Sequence, residues 1–403
     1  MKIMQINAVY PNGSTGKIVK DIHMHLLESG NESIICFGRG RKLKEPYVYK
    51  TSPELIMKMQ SLRSKLTGYA YNGCFISTWK LIKKIRKEKP DIVHLHCINA
   101  YTVNIYRLLN YLKNINLPTV LTLHAEFMHT AGCGHALECD KWKTGCGNCP
   151  QAGLGRPSSK IFDRSAEEWK LMANAFDGFN NLVIAPVSGW LYQRAKQSPF
   201  LKDKSFVVVQ NGLDTVNTFR PIDYNEIKKK HGLESEKVIL HVTPNFLAPI
   251  KGGKYVIELA NRLLQDNIKI IIVGYRGDKN SLPPNVIPVV HTQNQIELAA
   301  YYSMADLTLL TSMKETFSMI CAESLACGTP IVGFEAGAPE TISIYKYSEF
   351  VEQGNIDALE NAVRQWLYSN NNLRSEISLE ASKVYSKKLM YEKYENIYSR
   401  WFP

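Results

Sequence analysis

Residues 305–333 read, in order, as a buried strand, a polar turn, an apolar helix, a Gly-Thr-Pro stop and a second buried strand. Ala305-Asp306-Leu307-Thr308-Leu309-Leu310 and Pro330-Ile331-Val332-Gly333 supply the strands, and Ser318–Cys327 supplies the helix. That order is a parallel βαβ unit, with its polar groups at the ligand-facing end of the strands. The amides of Phe317, Ser318 and Met319 open the helix, and free amides with the helix dipole behind them attract phosphate. Two acids stand eight positions apart across this turn, Glu315 before the helix and Glu323 inside it, where it would hydrogen-bond sugar hydroxyls. Two unrelated surface acids are the plainer reading of that pair. They leave the strand–turn–helix–Gly-Thr-Pro order around it unexplained.

The same alternation runs along the whole chain. Strands are predicted at Ile3–Val9, Ser33–Phe37, Asp91–Leu95, Thr119–Leu123 and Leu182–Pro186, with helices around Gly16–Glu28, Phe75–Glu88, Tyr101–Leu112 and Ile161–Phe176. After the turn signal Asn211-Gly212-Leu213-Asp214 the pattern restarts. Strands follow at Val238–Val242, Ile268–Val273, Val286–Val289, Leu307–Leu310 and Ile331–Val332, and helices at Gly252–Gln265, Ile296–Met304, Ser318–Cys327 and Ile356–Tyr368. At 403 residues the chain is too long for one core, so two α/β domains with parallel sheets are expected, with a cleft between them. The expected boundaries are 1–200, carrying a Cys-rich insertion at 124–159, then 201–384, and a helix at 385–403 that crosses back. That helix is read as one piece, Glu376–Trp401, with an apolar stripe of Tyr385, Leu389, Tyr394, Ile397 and Trp401.

No apolar run is long enough to span a membrane, and Met1–Val9 reads as a first strand and not a signal peptide, which points to the cytoplasm. The net charge of +12 is concentrated. Region 58–89 carries nine Lys or Arg and a single acid, Glu88, interleaved with residues such as Leu62, Leu66, Phe75, Ile76 and Trp79. Two amphipathic basic helices on an anionic membrane surface are one reading, and a solvated charged face is the other. Cys133, Cys139, Cys146 and Cys149 fall within seventeen residues. In a cytoplasmic protein such spacing suits a structural zinc, against a reduced Cys-rich loop or a disulfide formed on oxidation.

Taken together, these residues resemble glycosyltransferase family 4, the retaining enzymes of the GT-B fold that use nucleotide sugars, and within it the bacterial surface-polysaccharide (capsule, exopolysaccharide, O-antigen) members. The stretch from Thr311-Ser312 to Glu340 is similar to the family's Ser-x-x-Glu-x-Phe-Gly…Glu-Ala-x-Ala-Cys-Gly-Thr-Pro-Val-Val pattern, with Ser318 for its Gly and Glu323-Ser324 for its Glu-Ala. The resemblance implies two Rossmann-like doubly wound domains with an interdomain cleft. It places Glu315 by the transferred sugar, the amides after Phe317 at the distal phosphate and Glu323 at the ribose. Lys251, in Ile250-Lys251-Gly252-Gly253, would neutralise the diphosphate, although the arginine that accompanies it in the family is missing between His241 and Lys251. Arg276 is the candidate replacement, and a surface lysine at a helix start is the alternative for Lys251. His124, ending the strand Thr119–Leu123, would lie beside the donor sugar. The turn Asn12-Gly13-Ser14-Thr15-Gly16-Lys17 follows the first strand, and its glycines Gly13 and Gly16 permit close backbone approach to a ligand.

The expected activity is therefore hexosyl transfer from a nucleotide diphosphate sugar, UDP-linked on family frequency, to a saccharide or lipid-linked saccharide. No catalytic cofactor is expected, since no Asp-x-Asp pair is present to hold a metal. A sugar-nucleotide epimerase on the same fold is one alternative. A zinc-dependent nucleic-acid-binding protein is the other, disfavoured because nucleic-acid motifs are absent.

Overall fold

The computed structural model describes residues 1–153, 155–369 and 373–402. The chain divides into two units, Met1–Gln210 with the chain from Tyr391 onward, and Asn211–Met390. The break thus falls after Gln210, and the return to the first unit begins at Tyr391, within the last helix.

The first unit holds seven strands: β1 (Lys2–Val9), β2 (Glu32–Arg39), β3 (Val48–Lys50), β4 (Ile92–Leu95), β5 (Thr119–Leu123), β6 (Leu182–Pro186) and β7 (Ser205–Phe206). They form one parallel sheet in the order β3-β2-β1-β4-β5-β6-β7. The second unit holds β8 (Lys237–Val242), β9 (Ile268–Val273), β10 (Val286–Val289), β11 (Leu307–Leu310), β12 (Ile331–Phe334) and β13 (Ser348–Val351), parallel in the order β10-β9-β8-β11-β12-β13. Each sheet reverses its winding once, between β1 and β4 and between β8 and β11. That reversal opens a crevice at the carboxyl ends of the two strands, where α/β sheets bind ligands.

The central strands are legible because helices cover both faces, so β4, β5, β6, β11 and β12 are buried at every residue. The three unpredicted strands β3, β7 and β13 lie at sheet edges, are two to four residues long and mix polar with apolar side chains. Helices α1 (Ser14–Glu28), α2 (Glu54–Thr67) and α3 (Phe75–Glu88) follow strands of the first sheet. The helix expected from Tyr101 starts at Ile105 instead, because the Asn104 side chain caps it by accepting the Arg107 amide at 2.9 Å, and Tyr101 itself is at φ 60°. The helix expected from Ile161 starts at Ser165, whose amide donates to Asp163.

The single terminal helix is a correction. The chain forms Arg374–Tyr385 and Lys387–Tyr398, broken at Ser386, which is extended at ψ 134°. Leu213 causes the break: its amide donates to the Tyr385 carbonyl at 2.7 Å, and its carbonyl accepts the Lys387 amide at 2.9 Å. The residues buried from these helices include Tyr385, Met390, Tyr394, Ile397 and Tyr398, whereas Leu389 and Trp401 are only partly covered. Among the described residues no helix is long and apolar enough to cross a membrane.

Candidate active site

In the second unit the winding reversal is where the polar residues collect. β8 and β11 share only the register pairs Leu307↔Ile239 and Thr308↔Leu240 before they diverge. The His241 ring spans the gap beyond them, its Nδ1–H donating to the Leu309 carbonyl at 3.0 Å. Burial holds His241 down at about 4, the Leu309 carbonyl opposing and nearby Lys251 adding to the shift, so the ring is neutral.

The loop after β8 is laced to the loop after β11. The Thr311 hydroxyl donates to the Lys251 carbonyl at 3.2 Å, and the Met313 amide donates to the Ile250 carbonyl at 2.8 Å. Gly252 makes that approach possible: it sits at φ 67°, and a Cβ there would lie 1.9 Å from the Thr311 carbonyl oxygen. The result is a direct pair, Lys251 Nζ to Glu315 Oε1 at 2.6 Å, with both side chains largely but not fully covered. Glu315 is held through its backbone as well, its amide donating to Ala336 O at 2.9 Å and its carbonyl accepting the Ala338 amide at 3.2 Å. The Glu340 carboxylate fixes that second loop by accepting the Ala336 and Gly337 amides at 3.1 and 2.7 Å. The sequence stretch ended at Glu340, but gave it no role.

Three residues after Glu315, the backbone turns sharply. Ser318 caps the helix Met319–Ala326 at φ 75°, ψ 89°, left-handed geometry that a side chain enters at a cost of about 1–2 kcal/mol. A glycine would meet no such cost, which is the physical sense of the family's Gly at this position. Phe317 is buried beneath the turn, and the first amides of the helix have no intrahelical acceptor. One turn into that helix, Glu323 Oε2 accepts the hydroxyl of Tyr302, a fully buried phenol whose pKa is pushed far up by burial and by Glu323. Ser324 has a reason to replace alanine: its buried hydroxyl bonds Thr308 Oγ1 at 2.7 Å on β11 and the Thr329 carbonyl at 2.9 Å. Tyr302 and Thr308 escaped sequence reading because each looks like an ordinary core residue in a run of apolar neighbours.

Arg276 lies just past β9, beyond Gly274, and is exposed. Among the described residues no ion pair or hydrogen bond joins it to Lys251 or Glu315. The Lys251 ammonium is therefore matched by the Glu315 carboxylate within this pair.

In the first unit the corresponding edge carries histidines. His124 follows β5 and lies 3.2 Å, Nε2 to Nδ1, from His96, which follows β4. The His94 ring lies against His96, tilted by 31° with centroids 3.9 Å apart, and bonds the Tyr398 hydroxyl and Thr122 Oγ1 at 2.7 and 2.8 Å. Burial holds His124 down to about 4 and His94 to about 3; it takes His96 well below its usual value, helped by its two histidine neighbours. All three are neutral at pH 7, so His124 acts as a hydrogen-bonding group and not as a cation. Gly13, exposed at φ 76°, caps α1, and Gly16 packs so that a Cβ would come 3.1 Å from the Pro11 carbonyl carbon. Asn7 braces this turn by donating to Val9 O and Thr15 Oγ1 while accepting the Cys97 amide.

The Cys-rich segment is built around two buried carboxylates that the sequence reading did not single out. Glu168 pairs with Arg156 and accepts the amides of Ala70 and Tyr71 at 2.9 and 2.8 Å. Glu126 pairs with Arg194 and accepts the Ala136 amide at 2.8 Å; burial pushes it up, but His129, Arg194 and that amide together bring it to about 2. Within this frame Cys133 and Cys149 share a hydrogen bond, while the Cys146 thiol donates to the Thr130 carbonyl at 3.7 Å. Four converging thiolates are what a zinc site needs. Among the described residues no group of three or more His, Cys, Asp or Glu is placed to hold a metal ion, the set Cys133, Cys139, Cys146 and Cys149 included.

The family model described as Glycosyl transferases group 1 matches residues 223–384. Over 426 aligned residues covering 99% of each chain, the protein is 21% identical to the putative colanic acid biosynthesis glycosyl transferase WcaC of Escherichia coli strain K12. It is 27% identical to the N-acetyl-alpha-D-glucosaminyl L-malate synthase of Bacillus anthracis over 404 residues, 96% of this chain and 94% of that one. Among solved structures it is similar to sucrose-phosphate synthase of Thermosynechococcus elongatus, with a TM-score of 0.70 at 14% identity over 100% of this chain and 99% of that one. HepE of Anabaena, solved in complex with UDP-glucose, gives 0.67 at 14% identity over 99% of this chain and 100% of that one. Residues 223–384 thus match the group 1 glycosyl transferases, and the two parallel-sheet, Rossmann-like units have the GT-B fold of the solved structures they resemble.

Proposed function

We propose that this protein is a retaining transferase that moves a sugar from a nucleotide diphosphate sugar, most simply a UDP-sugar, to a saccharide or lipid-linked saccharide during surface-polysaccharide synthesis. The carrying observation is the Lys251–Glu315 pair at 2.6 Å, set at the winding reversal of the second sheet beside a helix start. The colanic acid relative and the UDP-glucose complex of HepE favour the substrate class.

In this reading the second unit takes the donor. The amides at Phe317, Ser318 and Met319 and the Lys251 ammonium meet the diphosphate, Glu323 meets the ribose, and Glu315 meets hydroxyls of the transferred sugar. In the first unit, His124 and the Gly13–Gly16 turn are assigned to the sugar and acceptor side. The bond from the anomeric carbon to the diphosphate oxygen breaks, and the acceptor oxygen bonds that carbon on the same face. The acceptor's proton passes to a phosphate oxygen of the leaving group, so no side chain has to be a strong base. The cytoplasmic side of a membrane is the proposed place of work.

The test is turnover with a radiolabelled UDP-sugar and a lipid-linked saccharide extract. Release of UDP with label in the acceptor is expected, and Lys251→Ala and Glu315→Ala should each lower turnover at least about tenfold with the fold intact. Label recovered as a different nucleotide sugar, with none transferred, would identify an epimerase instead.

A further inference from the structure

Helix α2 is inside out. Of its fourteen residues only Met57 and Ser64 are buried, while Leu55, Met59, Leu62 and Leu66 are exposed by 69, 60, 58 and 63%. Their spacing of four, three and four residues puts them in one outward stripe, with Lys58 and Lys65 exposed beside it. α3 begins in the same manner, with Ile76 and Trp79 exposed by 59 and 52% ahead of Lys80 and Lys83. The two helices present a single surface. The Cys74 amide donates to Gln60 Oε1 at 3.1 Å, and the Arg63 guanidinium lies 5.8 Å over the Phe75 ring. The rest of α3 behaves conventionally, burying Leu81, Ile82 and Ile85 against the fold, so the outward apolar residues are not a general feature of this sequence.

We infer that this face of the first unit is a docking surface for an anionic lipid bilayer, with the α2 stripe and the start of α3 entering the headgroup–acyl boundary and the flanking lysines meeting lipid phosphates. Charge complementarity selects the occupant: Lys58 to Lys89 contains nine cations against Glu88, and Glu88 is already paired with Lys84 at 2.8 Å. The apolar residues make nucleic acid the poorer fit. Phe75 and Trp79 are the exposed aromatics, but Leu55, Met59, Leu62, Leu66 and Ile76 are not aromatic, and such side chains have a place among acyl chains but no base to stack on. The inference stands apart from the donor chemistry, although it would bring the enzyme to a lipid-linked acceptor if that proposal holds.

Co-sedimentation of the full-length protein with vesicles of phosphatidylcholine, with and without phosphatidylglycerol, tests it. Binding to the anionic vesicles should exceed binding to the neutral ones by at least about tenfold. Leu62→Asp with Leu66→Asp should abolish most of that binding. Lys58→Glu with Lys83→Glu should weaken it and flatten its salt dependence. Both double variants should keep the wild-type melting temperature and UDP-sugar binding, because every altered side chain is exposed and outside the donor site. Equal vesicle binding by wild type and the Leu62, Leu66 variant overturns the inference, as does tighter binding to duplex DNA that the lysine variant loses and the leucine variant keeps. Loss of UDP-sugar binding in wild type would instead overturn the transferase proposal, leaving the vesicle result unaffected.

Discussion

At the scale of single residues, the proposed donor site differs from the pattern it resembles in charge more than in shape. Lys251 is spent on Glu315, and Arg276 makes no contact with either. Without a second cation, diphosphate binding would lean on amides at the start of Met319–Ala326 and on how firmly the acids are held. Tyr302 is the residue that holds Glu323, through a 3.0 Å hydrogen bond from a fully buried hydroxyl. We expect Tyr302→Phe to raise the donor KM about three- to tenfold while leaving kcat within about twofold, since it removes one hydrogen bond to the carboxylate and keeps the carboxylate itself. A matching fall in kcat with unchanged KM would show that Glu323 is not a ribose ligand. Glu315 and Glu323 were visible in the sequence because charged residues in an apolar βαβ unit stand out, and Lys251 through the Lys-Gly of the family the chain resembles. Tyr302, Glu340 and Ser324's partner Thr308 were not, because their polar atoms matter only through neighbours 3 to 21 positions away.

Among elements, the decisive joint is between the loops that follow β8 and β11. Nothing in the ladder holds those loops together past Thr308, so the Gly252–Thr311 approach and the His241–Leu309 bond do so. Gly252→Ala should therefore be severe: the added methyl meets a carbonyl oxygen at 1.9 Å in a left-handed conformation. A loss of at least about 2 kcal/mol in urea unfolding is expected, together with weaker UDP-sugar binding from displacement of Lys251. Wild-type stability and affinity in this variant would mean the two loops are not coupled. The edge strands teach the complementary lesson. β3, β7 and β13 pair on one side only and need no long apolar run, so composition did not mark them.

Across the whole molecule, the conspicuous electrostatic feature is neutral buried histidine. His94, His96 and His124 in the first unit and His241 in the second all lie below the ordinary value of 6.5, each chiefly through burial. A depressed folded-state pKa means the unfolded chain takes up protons first as pH falls. Stability from these groups is complete above about pH 6.5 and drains away as pH falls toward 4, where His124 and His241 begin to titrate in the fold. Scanning calorimetry should show a melting temperature that is flat above about pH 7 and drops by about 5 °C or more between pH 6.5 and 4.5. A flat profile across that range would mean the histidines are not buried neutral.

The sequence by itself determined the two parallel sheets, their central strands and the turn that carries Glu315 and the helix-start amides. Those features are local: an apolar run too polar-poor to face water, followed by a helix start, has few other places to go. It also marked the basic region, though not which of its apolar residues face outward, since Leu62 and Leu81 are indistinguishable until α2 and α3 pack. Tertiary structure alone decided the rest. It joined Lys251 to Glu315 across 64 positions, brought the Cys146 thiol to the Thr130 carbonyl, and broke the last helix at Ser386 with a partner from Leu213. Each of these depends on which distant backbone group arrives at hydrogen-bonding distance, and spacing along the chain carries no record of that.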